Sequence, residues 1–319
     1  PPPPPPPPPA FQAEDGIRDV LLSLVGSEMC IRDRSSAASI TSSVGAGGQC
    51  RCAPAAVRGA GKSGTSVSEE IHVLTYNIHK GYCTGNRRFV LDSMRQRIAE
   101  TGADIVFLQE IHGTAIKSAS KKRRFSYPDQ PHFEYLADEA WPHYAYGRNA
   151  IYRKGDHGNA IMSMFPFVAW ENIDISIFPR SSRSILHGII ELPGLGTRLH
   201  TLCVHLGLLE QERREQLKAL THRIDQHVPR DEPMIIAGDF NDWRQRAERH
   251  LRSDLELEEL FLKMEGQHAR TFPVWAPMLA VDRIYYRGLE PVSCQRMHRG
   301  HWRDLSDHAA LFGVFRLTC

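Results

Sequence analysis

Eight polar residues carry the chemistry that this chain could perform. They fall in short runs, each ending an apolar segment: TYNIH, FLQE, VHL, GDFN, VDRI and SDH. The residues are Asn77, Glu110, His205, Asp239, Asn241, Asp282, Asp307 and His308. Carboxylate and amide oxygens suit a hard divalent cation such as Mg²⁺, with Mn²⁺ as a substitute. A histidine beside carboxylates suits proton transfer or the binding of a phosphate. The alternatives are structural: Asn77 as a turn residue, Asp239 as an Asx turn, His205 as a core histidine, Glu110 as a solvated strand end. The seven cysteines are irregularly spaced, and the single CxC of Cys50 and Cys52 falls short of a four-ligand zinc site.

Such residues meet only if strands deliver them. Short runs rich in β-branched and aromatic residues predict strands at residues 71–78, 104–108, 159–165, 187–192, 198–206, 233–237, 281–286 and 309–317. Helical periodicity predicts helices over 89–101 and 208–228, the second with Leu209, Leu217, Leu220, Ile224 and Val228 on one stripe. Many strands and few helices point to two packed sheets with helices outside. Polar residues at strand ends can then share one cleft although they are far apart in sequence.

Taken in order, TYNIH, FLQE, GNAI, VHL, GDFN, DRI and SDH resemble the endonuclease/exonuclease/phosphatase superfamily. It includes DNase I-like nucleases, exonuclease III-type repair enzymes, bacterial sphingomyelinases and inositol polyphosphate 5-phosphatases. The resemblance spans about residues 70–317, and NRRF, YGRNAIY, GDFNDWRQ and RTFPVWAPML look closest to the YbhP-like bacterial branch. It implies an α/β fold, a four-layer αββα sandwich of two packed mixed β-sheets flanked by helices. It also implies Mg²⁺-dependent hydrolysis of a phosphate ester. Glu110 would be the main metal ligand, with Asn77 and Asp307 beside it. Asp239 would activate water or the leaving group, Asn241 would orient Asp239, Asp282 would hold His308, and His205 would contact the phosphate. Asn159 and Arg183 would be further, weaker phosphate contacts, and His79 either a phosphate contact or a strand-end residue. His79 stands where repair nucleases of the family often carry an acid, and PMLAV precedes the Asp-Arg pair where 5-phosphatases usually have a tryptophan-containing segment.

Substrate class stays open among DNA, a phospholipid headgroup and a small phosphoester. The segment KSASKKRR, Lys117 to Arg124, has five basic residues in eight and could meet a nucleic-acid backbone or an anionic membrane. Two other readings are a membrane-associated phospholipid phosphodiesterase, or accessory protein of phospholipid synthesis, and a non-catalytic binding module on the same fold. The chain is 319 residues with formal net charge +2, so no whole-chain field favours a polyanion. It has no apolar run of 18 residues. All 16 histidines follow residue 68. Residues 1–34, a proline run and then a stretch resembling translated sequencing-adapter read-through, are expected to be a gene-model artefact or a disordered tail. Residues 35–68 read as a Ser/Gly/Ala linker and 69–319 as one catalytic domain, a monomer. Reduced thiols and a cytoplasmic location, peripheral to the inner membrane if the basic segment binds lipid, complete the expectation.

Overall fold

A computed structural model describes residues 70–113, 128–152, 155–178, 181–192 and 196–317. These all fall within the unit Lys62–Cys319. The segments 1–34 and 35–68 and the basic run Lys117 to Arg124 lie outside the described residues.

Two six-stranded sheets form the centre. The first has β1 (Glu70–Asn77), β2 (Ile105–His112), β3 (His143–Tyr152), β4 (Gly155–Ser163), β11 (Leu289–Met297) and β12 (Ala310–Leu317), in the order β11-β12-β1-β2-β4-β3. The second has β5 (Phe167–Asp174), β6 (Ser184–Leu192), β7 (Thr197–His205), β8 (Met234–Asp239), β9 (Glu258–Glu259) and β10 (Asp282–Arg287), in the order β5-β6-β7-β8-β10-β9. Each sheet contains one parallel pair, β1 with β2 and β7 with β8; the other pairings are antiparallel.

The alternation of side chains along each strand builds three apolar layers. Val73, Ile105, Phe107 and Ile161 point inward and meet Leu186, Ile190, Leu199, Ile235 and Ile284 of the other sheet. On the outer face of the first sheet, Leu74, Val106, Leu108 and Met162 pack on Leu91, Met94 and Ile98 of α1 (Leu91–Glu100) and Leu136 of α2 (His132–Ala137). On the outer face of the second, Leu202, Val204, Met234 and Ile236 pack on Leu217, Leu220 and Ile224 of α3 (Glu210–His227) and Leu251 and Leu255 of α4 (Arg246–Leu255). A further short helix, α5 (Leu260–Glu265), follows β9. Strands buried on both faces need apolar residues at successive positions, which is why VFL and MIIA read as unbroken apolar runs. This is the expected four-layer sandwich.

Leu209 departs from the expected stripe. It precedes the first residue of α3 and is 60% exposed, whereas Leu217, Leu220, Ile224 and Val228 are buried. The first turns of α3 bury polar residues instead: Gln216 Oε1 accepts from Gly207 N at 2.8 Å and Arg213 donates to Gly207 O at 3.1 Å. They hold the loop that leaves β7 just past His205. No helix among the described residues is long and apolar enough to cross a membrane.

Candidate active site

Both parallel pairs end at the same cleft. Asn77 is the last residue of β1, and His205 and Asp239 are paired in register at the ends of β7 and β8. Asp282, which opens β10, lies opposite Asp239 in the antiparallel register. The contact between the sheets is direct: Asn77 Nδ2 donates to Asp239 Oδ2 at 3.2 Å and faces Glu110 Oε1 at 3.5 Å.

Glu110 reaches this cleft by a local break in β2. Leu108 pairs with Ala160 and Ile111 with Gly158, so Gln109 and Glu110 together oppose the single residue Asn159 of β4. This is a β-bulge, with Glu110 at φ 56°. Leu108 and Ile111, three positions apart, therefore pack on the same outer face. Gln109 turns inward to donate to Thr75 Oγ1 and Cys203 Sγ, both at 3.3 Å, and Glu110 turns its carboxylate to the cleft. The expectation that Glu110 terminates its strand is corrected, since β2 continues to His112. An acidic side chain in left-handed backbone is strained by about 1 kcal/mol or more, and such strain gathers at functional sites.

Asp239 is the hub. Its Oδ1 accepts from Asn241 N at 2.9 Å. Its Oδ2 faces Asn77, His205 Nε2 at 3.6 Å and His308 Nε2 at 3.9 Å. Asn241 is itself held by its Nδ2 donating to Leu206 O at 2.9 Å. Burial, and then the neighbouring Asp282, push the Asp239 carboxyl up to about 7. His308 Nδ1 meets Asp282 Oδ2 at 2.9 Å. Burial opposes its charge, but Asp282, with Asp239 and Asp307 nearby, holds the imidazolium up to about 10. His205 differs: burial, then Arg183, keep it neutral, well below the usual histidine range. Of the two imidazoles that face Asp239, one is thus cationic and one neutral.

A second group of charges flanks the first. Burial resists ionisation of Glu110, yet Lys80 foremost, with His79, holds its carboxyl well below the usual range. Asp307 Oδ1 lies 2.9 Å from His79 Nδ1, and its carboxyl is also lowered, against burial, by that imidazole. Ser306 ties this corner together by donating to Asn77 O at 2.7 Å.

All eight chemistry-bearing residues therefore converge, and His79 joins them. Asn159 and Arg183 do so only at the margin. Asn159 is fully buried and donates to Ser184 O at 3.0 Å and Cys203 O at 3.4 Å, bridging the two sheets. Arg183 is buried with its Nε donating to Leu206 O at 3.3 Å. Lys80, 3.2 Å from Glu110, and His157, whose imidazole burial and Lys80 depress to about 4, were not singled out by the sequence.

Two sets of donors bear on a cation. Asp239, Asp282 and His308 are the group of three His, Cys, Asp or Glu residues, among those described, whose ligand atoms lie within 4.8 Å of one another. His308 Nδ1 is already engaged with Asp282 at 2.9 Å, and an imidazole raised to about 10 offers hydrogen rather than a lone pair, so this trio suits proton holding better than ligation. Glu110 and Asp307, ionised, less buried than Asp239 and accompanied by the Asn77 amide, fit a hard divalent ion better.

The sequence profile of the Endonuclease/Exonuclease/phosphatase family matches residues 74–308. An Escherichia coli (strain K12) protein, "Uncharacterized protein YbhP", is 43% identical over 245 residues, 77% of this chain and 96% of its own length. The Shigella flexneri protein of the same name has the same identity and coverage. Among solved structures, an endonuclease/exonuclease/phosphatase from Beutenbergia cavernae DSM 12333 superposes with TM-score 0.62 at 21% identity, over 78% of this chain and 72% of that one. D. rerio TDP2 complexed with single strand DNA product superposes with TM-score 0.57 at 18% identity, over 77% and 99%. At these identities the superpositions speak for the fold alone.

Proposed function

The chain belongs to the endonuclease/exonuclease/phosphatase family, a family of phosphoester hydrolases, and from that premise we propose that it is a Mg²⁺-dependent phosphoester hydrolase. One observation carries the reading. The Asp239 carboxylate is held by Asn241 with its second oxygen turned to the cleft, between a neutral His205 and a cationic His308 backed by Asp282. A module kept only for binding would have no need of a buried carboxyl poised near neutrality beside a fixed imidazolium.

Hydrolysis of a phosphate ester needs a water aligned for attack, a base for its proton and donors for the phosphoryl oxygens. Asp239, with a carboxyl near 7, accepts the proton of the attacking water. The imidazolium of His308 and the neutral ring of His205 donate to phosphoryl oxygens. Asp282 fixes the tautomer and the charge of His308, and Asn241 fixes the rotamer of Asp239. Glu110, with Asn77 and Asp307 beside it, would hold the divalent ion. When bound, that ion supplies Lewis-acid charge stabilisation to the phosphoryl group.

The test is a panel of phosphoesters with Mg²⁺, Mn²⁺ or EDTA. It includes nicked, abasic and single-stranded DNA, sphingomyelin, phosphatidylglycerol, cardiolipin and inositol phosphates. At least one substrate should be hydrolysed with metal, and Glu110→Ala and His308→Ala should each lower the rate at least about 100-fold, the scale for one catalytic group. Turnover that survives EDTA and both substitutions would exclude the reading.

A further inference from the structure

The turn after β1 brings an imidazole and an ammonium into the cleft. His79, Lys80 and Gly81 adopt three successive left-handed conformations, with φ of 45°, 58° and 83°. Two of the three are not glycine, so the conformation is imposed against local preference. The turn is pinned by Gly81 N donating to Ile78 O at 2.8 Å, Val90 N to Gly81 O at 2.8 Å and His79 N to Asn77 Oδ1 at 3.1 Å. A Cβ at Gly81 would stand 2.8 Å from Phe89 Cε2, so the third position favours glycine by its φ and is crowded as well.

The result is a matched pair of contacts. His79 Nδ1 lies 2.9 Å from Asp307 Oδ1, and Lys80 Nζ lies 3.2 Å from Glu110 Oε2. Consecutive residues thus meet the two carboxylates that fit a divalent ion. They differ in access. The His79 side chain is 8% exposed, whereas that of Lys80 is 25% exposed, at the boundary between Glu110 and the open cleft. An ammonium on a flexible four-carbon stem can re-aim its three donors over a few ångströms while its backbone stays fixed.

We propose that Lys80 competes with the divalent ion for Glu110 and, on leaving it, binds a phosphoryl oxygen of the substrate. Metal and phosphoester then load together, because each takes one end of the same ion pair. This inference rests on the metal-dependent hydrolase reading. A purely structural Lys80, holding Glu110 in place, gives the opposite sign: its removal would loosen the carboxylate and weaken metal binding.

Mn²⁺ binding to the full chain without substrate, followed by electron paramagnetic resonance, separates the two. Lys80→Met should bind Mn²⁺ about tenfold more tightly than wild type, since a competing charge has gone. At saturating Mn²⁺ it should bind inorganic phosphate about tenfold more weakly, for the same electrostatic reason. Lys80→Arg, which keeps the charge, should stay near wild type in both. Equal or weaker Mn²⁺ binding by Lys80→Met overturns the proposal, as does unchanged phosphate binding. Wild-type protein that binds no Mn²⁺ at millimolar concentration overturns it together with the metal-dependent reading. The expected Mn²⁺ and phosphate changes without turnover of any phosphoester would overturn the hydrolase reading alone.

Discussion

Under the proposed hydrolase mechanism, Asp282→Asn should move the whole pH optimum toward acid, because Asp282 acts on both Asp239 and His308. In the wild type it bonds His308 Nδ1 at 2.9 Å and is the foremost attraction raising that imidazolium to about 10. It is also, after burial, the main influence raising Asp239 to about 7. Activity that requires ionised Asp239 and protonated His308 therefore rises through pH 7 and falls through pH 10. Asparagine keeps the size and a hydrogen-bonding oxygen but not the charge. Without it, burial pulls His308 down toward the ordinary histidine value of about 6.5, with only Asp239 and Asp307 left to oppose the fall. At that limit roughly 3% of the imidazole is protonated at pH 8, so kcat/KM falls up to about 30-fold; at pH 6 most of it is still protonated and Asp239, no longer raised by Asp282, is more fully ionised, so activity is kept or increased. The assay is kcat/KM from pH 5 to 10 on a chromogenic phosphodiester, each point quenched into alkali, with the His308 ring followed by NMR. A loss equal at all pH values would refute the reasoning and leave Asp282 a packing role. The same charge pair has a stability signature. The folded pKa of His308 is raised, so its contribution is complete below about pH 6.5 and is lost as pH rises through about 10. Asp282→Asn should remove that alkaline dependence.

Two other predictions concern the scaffold. Gly238 has φ 146°, and a Cβ there would lie 2.0 Å from Val204 O, so Gly238→Ala should cost at least about 3 kcal/mol in urea unfolding; near-native stability would contradict the close approach of β7 and β8. Under α3, His187 Nε2 meets His200 Nδ1 at 2.9 Å while Arg223 Nε donates to His187 Nδ1 at 3.1 Å, and burial, then His200 and Arg223, depress His187 to about 3. This stability is complete above the ordinary histidine pKa and is lost as pH falls toward 3, by about 2 kcal/mol between pH 7 and 5. His187→Gln should flatten that decline in urea midpoints, and an equal decline would assign it to other groups.

The sandwich was legible because its central strands are buried on both faces and must be apolar throughout. β1, β7, β8 and β10 end or begin at Asn77, His205, Asp239 and Asp282 much as the apolar runs implied. Edge strands were not legible: β5 leaves most of its residues exposed and β11 mixes polar with apolar positions, so neither carries a strong period. Glu110 was legible as a site residue but not as the residue of a bulge. The bulge comes from the register of β2 against β4, some fifty residues away in sequence. Lys80 was missed for a related reason. A lysine in a turn reads as a solvated charge, and only the folded turn shows it facing Glu110. His79 likewise gains meaning from Asp307, which the chain supplies near its other end.

The place of β12 has a consequence for synthesis on the ribosome. It lies between β1 and β11, pairing Ile71 with Phe315 and Cys294 with Gly313, and it is the last of the described strands to be made. Until it emerges, β1 lacks its antiparallel neighbour, and Asp307 and His308 lack the strand they lead into. Chains dominated by such long-range pairings fold late and slowly. A nascent chain therefore carries Glu110 and Asp239 for most of the synthesis of the described residues before β12 completes the first sheet beside them.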